Sequence, residues 1–177
     1  MYLVFDIETT GLPDDINADV LDFDKFPRVV QLAWSLINNS DNIISTFNFI
    51  IKPDDFEIPD YVSEIHGITQ ERALNEGCDS DFVLNLFRNH VYESSFLVGH
   101  NIEFDSKILR VELMRFGMQN GLRNILRVKD KICTMKSTVD LCKIEGRYGY
   151  KWPTLSELYF FLFSEELMNA HDAAIDT

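Results

Sequence analysis

Cysteine is scarce in this sequence. There are three, Cys78, Cys133 and Cys142, an odd number with no Cys-x-x-Cys spacing, so neither a disulfide framework nor a zinc ribbon is indicated and reduced, buried thiols are the default. Long apolar runs are missing as well. The longest candidate, Leu158 to Phe163, falls far short of the roughly 20 residues that cross a bilayer, and no repeat, linker or low-complexity tract interrupts the chain. The first residues enter an apolar stretch with no basic segment or signal-peptide core, so a cytoplasmic protein with no membrane partner is expected. Positive charge is also short, at 16 Lys and Arg against 29 Asp and Glu, for a formal net charge of −13. Phosphate binding normally rests on Lys and Arg, so the total argues against a nucleic-acid partner. Its distribution changes that: residues 107–151 hold eleven basic and four acidic side chains, whereas residues 1–106 hold five and twenty, and residues 152–177 five acids and no Lys or Arg. A basic middle is compatible with a phosphodiester substrate, and equally with a solvated charged face.

What is present is a globular composition, 46% apolar and 12% aromatic with fourteen Phe in 177 residues, which fits one domain over residues 1–177. Its organising stretch is Tyr2 to Pro13. Leu3, Val4, Phe5 and Ile7 are what a buried strand needs, yet Asp6 and Glu8 interrupt them two residues apart, which on a strand aims both carboxylates at one face. Burying two unpaired charges together is costly, so a divalent cation or a protonated carboxyl is the economical reading. An edge strand with both acids in water is the alternative. Thr9, Thr10, Gly11 and Pro13 then stop the strand.

Asp14 to Pro27 reads as a polar surface loop. Its Asp15, Asn17 and Asp19 have calcium-loop spacing, but Val20 stands where Gly is needed and Phe26 where the closing Glu belongs. Val29–Ile37 and Ile43–Ile51, separated by the turn-forming Asn38 to Asn42, predict an antiparallel hairpin and, with the first strand, a three-stranded meander. Strands and helices then alternate: a helix over Asp81–Val91 with Ser80 as its cap, a strand at Phe96–Gly99, a helix from Asn101 or Glu103 to Phe116 ended by Gly117, and a short strand at Ile132–Met135. Thr138–Cys142 is open to a helical turn. Pro153 to Glu157 predicts a helix start, with Thr154 capping and Glu157 reaching back, running to about Phe163. A last helix opens near Asn169 or Ala170.

Two further stretches carry chemistry. In Val98-Gly-His-Asn-Ile-Glu-Phe-Asp105 a strand passes into a helix, and Asp105 in its first turn suits the helix dipole even without a function. In Asn169-Ala-His-Asp-Ala-Ala-Ile-Asp176, His171 and Asp176 lie about 140° apart on a helix and converge only if His171 sits before it or on a frayed first turn. His171 alone would also serve as a surface or capping residue.

Taken in order, Phe5-Asp-Ile-Glu-Thr-Thr-Gly-Leu12, Gly99-His-Asn-Ile-Glu-Phe-Asp105 and His171-x-x-x-x-Asp176 resemble the three motifs of the DEDDh exonucleases, the family that includes the proofreading epsilon subunit of bacterial DNA polymerase III. Ile65-His-Gly-Ile-Thr69 resembles a segment that often stands between the first two. The resemblance spans essentially the whole chain. It implies an α/β, ribonuclease H-like fold with a mixed sheet, three antiparallel strands followed by alternating strands and helices. It further implies a 3'-5' exonuclease in which Asp6, Glu8, Asp105 and Asp176 bind two divalent cations, Mg2+ or Mn2+, and His171 is the general base, while the backbone of Thr9 and Thr10, the Leu12 side chain and His66 contact the terminal nucleotide. An imidazole, whose ordinary pKa is about 6.5, suits removal of a proton from water near neutral pH. The implied partner is the 3' end of a single-stranded nucleic acid, DNA in preference to RNA, with a DNA polymerase subunit as a further candidate. A silent module docking on a polymerase and an exoribonuclease are the competing readings. Two features depart from the family's pattern: Tyr61 stands where many relatives have Glu, and the last helix is cut short at Thr177, which leaves Asp176 near its frayed end.

Overall fold

The computed structural model describes residues 1–117, 126–168 and 171–177. Tyr2–Thr9 (β1), Val29–Ile37 (β2) and Ile43–Ile50 (β3) form the antiparallel meander, β2 between the other two. Phe96–Gly99 (β4) pairs parallel with β1, and Lys131–Cys133 (β5) parallel with β4. The result is a five-stranded mixed sheet of order β3-β2-β1-β4-β5. Between β3 and β4 lie Asp60–His66 (α1), Gln70–Glu76 (α2) and Ser80–Glu93 (α3); between β4 and β5 lies Ile102–Arg115 (α4). After β5 come Thr134–Ser137 (α5), Val139–Cys142 (α6), a hairpin of Glu145–Gly146 (β6) and Gly149–Tyr150 (β7), Leu155–Phe163 (α7) and Ala173–Asp176 (α8).

Several local differences from the sequence reading have physical causes. The cap of α3 is Asp79, whose side chain accepts from the Phe82 N–H, and Ser80 is the first helical residue. The strand read at Ile132–Met135 is Lys131–Cys133, because Thr134 and Met135 already turn into α5. Two short helices, α1 and α2, fill the segment after the acidic loop; left-handed Gly67 (φ 73°) ends the first, and Thr69, accepting from the Arg72 N–H, caps the second. The loop over Asp14–Pro27 is not all surface, since Val20 and Phe26 are buried in the core. The expected capping box of Thr154 and Glu157 is present. The last helix starts at Ala173; Asn169 and Ala170, where it was expected to open, lie outside the described residues.

Alternation along the strands sorts the meander into two unlike faces. On one, Leu3, Phe5 and Ile7 stand opposite Leu36, Trp34 and Leu32, and Trp34 and Leu32 in turn stand opposite Phe47 and Phe49. Helix α3 covers this face, with Phe87 edge-on to Phe5 (5.4 Å) and Trp34 (5.3 Å), and the Trp34 Nε1–H donates to His90 Nδ1 at 2.9 Å. The other face carries Asp6, Glu8, Gln31, Ser35 and Asn48, where an apolar cover would leave polar groups unpaired. Instead the carboxy-terminal segment lies over it. The Gln31 side chain, 3% exposed, donates to Asn48 Oδ1 (2.8 Å) and Asp172 Oδ1 (3.0 Å), and its Oε1 accepts from the Ala173 N–H (3.2 Å).

Candidate active site

The first strand delivers Asp6 and Glu8 to the polar face, opposite Ala33 and Gln31, and a register shift after Glu8 ends the regular pairing. Helix α4 begins after Asn101, which holds a left-handed conformation (φ 64°), and its first turn presents Asp105, 4% exposed. At the chain's other end His171 is also left-handed (φ 71°), so it lies outside α8 rather than on it. Its backbone N–H donates to Asp176 Oδ2 at 3.0 Å, which closes a loop of one helical turn and brings the two residues together as the 140° argument requires. Asp6, Glu8, Asp105, His171 and Asp176, 170 residues apart in sequence at the extremes, line one cleft of about 350 Å³.

Crowding of carboxylates shows in their proton affinities. Burial, followed by the charge of Asp176, raises Asp6 from 3.8 to about 8; burial, followed by Asp6, Asp176 and Asp172, raises Glu8 from 4.5 to about 8. Asp105 is pushed well above the carboxylate range by its burial and then by Asp6. Asp176 is raised by burial, partly offset by the His171 N–H. No cation from the chain pairs with any of these acids among the described ion pairs, and Asp176 Oδ1 is buried without a hydrogen-bond partner. Donor atoms of Glu8, His171 and Asp176 lie within 4.8 Å of one another. An oxygen-rich group of this kind, uncompensated and with an orphaned buried oxygen, fits a hard divalent cation.

Beside the cleft, sharing Ile7, Glu8 and Phe104 with it, is a slot of about 310 Å³. Thr9, Leu12 and His66 line it together with Gly11, Tyr61 and Ile65. Leu12 is 83% exposed and Tyr61 63%, so the slot has an apolar rim open to solvent. Gly11 has φ 147°, and a Cβ there would come within 2.8 Å of the Tyr61 hydroxyl; any other residue would force both the backbone and the rim to move. Thr10 joins this rim to the residue that precedes β2: its N–H donates to the Arg28 carbonyl and its Oγ1 accepts from the Arg28 N–H, both at 2.9 Å, while its carbonyl accepts from the Tyr61 hydroxyl at 3.5 Å. In His66, Nδ1 accepts from the Ile68 N–H at 3.1 Å and Nε2 is buried without a hydrogen bond. Burial lowers its pKa, with the Thr9 backbone as a smaller opposing influence.

Two side chains of the site escape a sequence reading. Gln31 ties the strand to the segment that bears His171 and Asp176. The available signal was a polar residue within an apolar strand, but its partners depend on register. His100 lines the cleft, its Nδ1 3.0 Å from Thr134 Oγ1 and its Nε2 3.0 Å from the Pro153 carbonyl. It thereby holds the segment between β7 and α7 at the cleft; Tyr148, Tyr150 and Trp152, which precede Pro153, are exposed. The basic segment reaches the neighbourhood through Lys107 and Lys131; its residues 118–125 lie outside the described residues. A cavity of about 750 Å³ between α7 and Ile144 shares no residue with the acidic cleft.

A family model described as Exonuclease (RNase_T) matches residues 3–177. The protein is similar to 3'-5' exonuclease DinG of Bacillus subtilis (strain 168), 30% identical over 173 residues, which is 97% of this chain and 15% of that protein. It is also similar to the PolC-type DNA polymerase III of Clostridium perfringens (strain 13 / Type A), 27% identical over 178 residues, 99% of this chain and 10% of that one. Among solved structures, E. coli Exonuclease I in complex with a dA16 oligonucleotide superposes with a TM-score of 0.70 at 19% identity, over 99% of this chain and 38% of that one. The zinc ion bound form of the ExoI-ssDNA complex gives 0.71 at 21% identity, over 99% and 37%. The likeness to Exonuclease I establishes the fold, and this chain spans a minor part of each of these proteins.

Proposed function

The chain belongs to the exonuclease family, and on that premise we propose that residues 1–177 act as one exonuclease domain that hydrolyses the phosphodiester bond at the 3' end of single-stranded DNA and releases nucleoside 5'-monophosphates. The observation that carries this reading is the meeting of four acids and His171 in one cleft beside an open apolar-rimmed slot. The oligonucleotides bound to Exonuclease I and the 3'-5' exonuclease activity in the name of DinG support it.

In this reading Thr9, Leu12 and His66 hold the terminal nucleotide in the slot, and Thr10 fixes the loop around it through Arg28. Asp6, Glu8, Asp105 and Asp176 would hold two divalent cations, Mg2+ or Mn2+, which when bound supply a more acidic attacking water and charge stabilisation of the departing oxygen. His171, exposed at the mouth of the cleft, accepts the proton of the water that attacks phosphorus. The bond from phosphorus to the 3'-oxygen of the next nucleotide breaks, and that oxygen leaves as a hydroxyl after taking a proton from solvent. Asp176 contributes a second way, by holding the His171 backbone through its Oδ2. A DNA polymerase subunit is the expected protein partner, since the PolC-type polymerases contain a similar segment. The silent docking module has no observation in its favour, because all five residues are present and convergent.

The test is incubation with DNA and RNA oligonucleotides labelled at the 3' or the 5' end, in Mg2+, Mn2+ or chelator. Early release of the 3' label as a mononucleotide, a ladder from the 5'-labelled strand and no product in chelator are expected. Early release of the 5' label would overturn the polarity, and faster loss of RNA would move the substrate to the exoribonuclease alternative.

A further inference from the structure

Three cavities open along the amino-terminal half of α4, and Phe104 lines all of them. The slot is apolar at its rim and the cleft acidic. The third, about 340 Å³, adjoins the cleft through Asn101 and Phe104 and is basic: Lys107, Arg110 and Lys131 line it against the single carboxylate of Glu103. Glu103 is itself on the surface, its side chain 58% exposed and 3.2 Å from the Nζ of Lys131, whose own side chain is 14% exposed, so an incoming anion would share Lys131 with it. At the same cavity Ser106 is 1% exposed, yet its hydroxyl has no hydrogen-bond partner among the described residues. Buried hydroxyls are nearly always paired, so an acceptor is missing here, in a place surrounded by cations on a protein of net charge −13. A tetrahedral oxyanion would offer an acceptor oxygen to Ser106 beside Lys107, whose Nζ donates to the Ala18 carbonyl at 2.8 Å, and within the positive field that Arg110 and Lys131 add.

We infer that this cavity binds a backbone phosphate of the substrate strand inward of the scissile bond. The inference rests on the exonuclease reading above, which puts the terminal nucleotide in the slot and the scissile phosphate at the acids; among the described residues, the strand's next phosphates then meet a positively charged cavity that adjoins the cleft. Repulsion from the acidic cleft would otherwise oppose the approach of a polyanion, and a fixed positive patch one step inward offsets it.

The test compares an oligonucleotide with a nitrophenyl ester of thymidine 5'-monophosphate, which has no inward phosphate. In the double variant Arg110→Gln/Lys131→Gln, the ratio of kcat/KM for the oligonucleotide to that for the ester should fall about tenfold, chiefly through KM. The slope of log affinity against log salt should weaken by roughly 0.7, the value for one phosphate on a single strand. With the unsubstituted protein, single methylphosphonates at successive inward phosphates should reproduce the loss at one position, and the variant should be insensitive there. A ratio and slope equal to those of the parent overturn the inference while leaving the exonuclease reading intact. Inactivity of the parent on both substrates overturns that reading and the inference with it. Should the double variant fail to fold, the methylphosphonate series on the parent decides: equal rates at every inward position overturn the inference.

Discussion

Asp6 and Glu8 are two residues whose environment works against their charge. With folded-state values of about 8 against ordinary values near 4, the native protein holds protons that the unfolded chain has already released. Their contribution to stability is therefore fully present below about pH 4 and is lost as pH rises through about 8. In chelator, Tm should fall across that interval. A divalent cation at a hundredfold excess over its Kd adds about 2.7 kcal/mol, roughly 5 to 10 °C for a chain of this size, and that gain should appear at neutral pH and vanish in acid. Calorimetry over pH 5 to 8 with Mg2+ or EDTA reads both. The roles of the site residues separate in the same way. His171→Ala should lower turnover of the nitrophenyl ester by about 10² to 10⁴-fold with cation binding retained, whereas Asp6→Ala should remove binding and turnover together. Equal loss of cation affinity in the two variants would make His171 a ligand, a role its distance to Glu8 and Asp176 permits. The sequence pattern exposed these residues because two acids in an apolar strand are anomalous, whereas Gln31 in the next strand is an ordinary exception until its partners are known.

Among the elements, the short α8 is the most dependent on its neighbours. Four residues make no stable helix in water, and this one is held by its Asp172 cap and by Gln31 on β2. Gln31→Met keeps the volume but leaves the buried Ala173 N–H unpaired, a penalty of about 1 to 3 kcal/mol that falls on the segment rather than on the sheet. Faster amide exchange at residues 173–176 and about tenfold lower kcat on the ester are expected, with the exchange of β1 and β2 unchanged. Uniform acceleration across the sheet would instead make Gln31 an ordinary core residue. Elements with strong local signals were legible: the meander from its turn, α7 from its capping box, α4 from its glycine stop. Helices α1 and α2 were not, because each is seven residues long and held by the small cluster of Val30, Ile58, Val62, Ile68 and Ala73 rather than by its own periodicity. The β6–β7 hairpin has two residues per strand, too few for an alternation to show.

At the scale of the molecule, order in space follows order in sequence only loosely. The first motif and the last meet because β1 is the central strand and the chain's end returns across its polar face. That return could be expected from the mutual need of the acids for a shared counter-charge, but not its route, which depends on Gln31 and on the left-handed turn at His171. The basic middle of the chain was visible as composition; that Lys107 and Lys131 share a cavity next to the acids depends on α4 and β5 being adjacent.

The slot bounded by Leu12, Tyr61 and Ile65 offers a nucleoside mostly apolar side chains and, among the described residues, no lysine or arginine, with the half-buried Glu8 shared with the cleft. An end that carries an extra phosphate on its terminal 3'-oxygen would bring two negative charges into that space, beside Glu8 and with no lysine or arginine among the described lining residues to receive them. Strands finished in this way, as by oxidative breakage of DNA, should stall the enzyme. Treatment with a phosphatase should restore digestion, and equal digestion of 3'-phosphate and 3'-hydroxyl ends would show that the terminal nucleotide lies elsewhere.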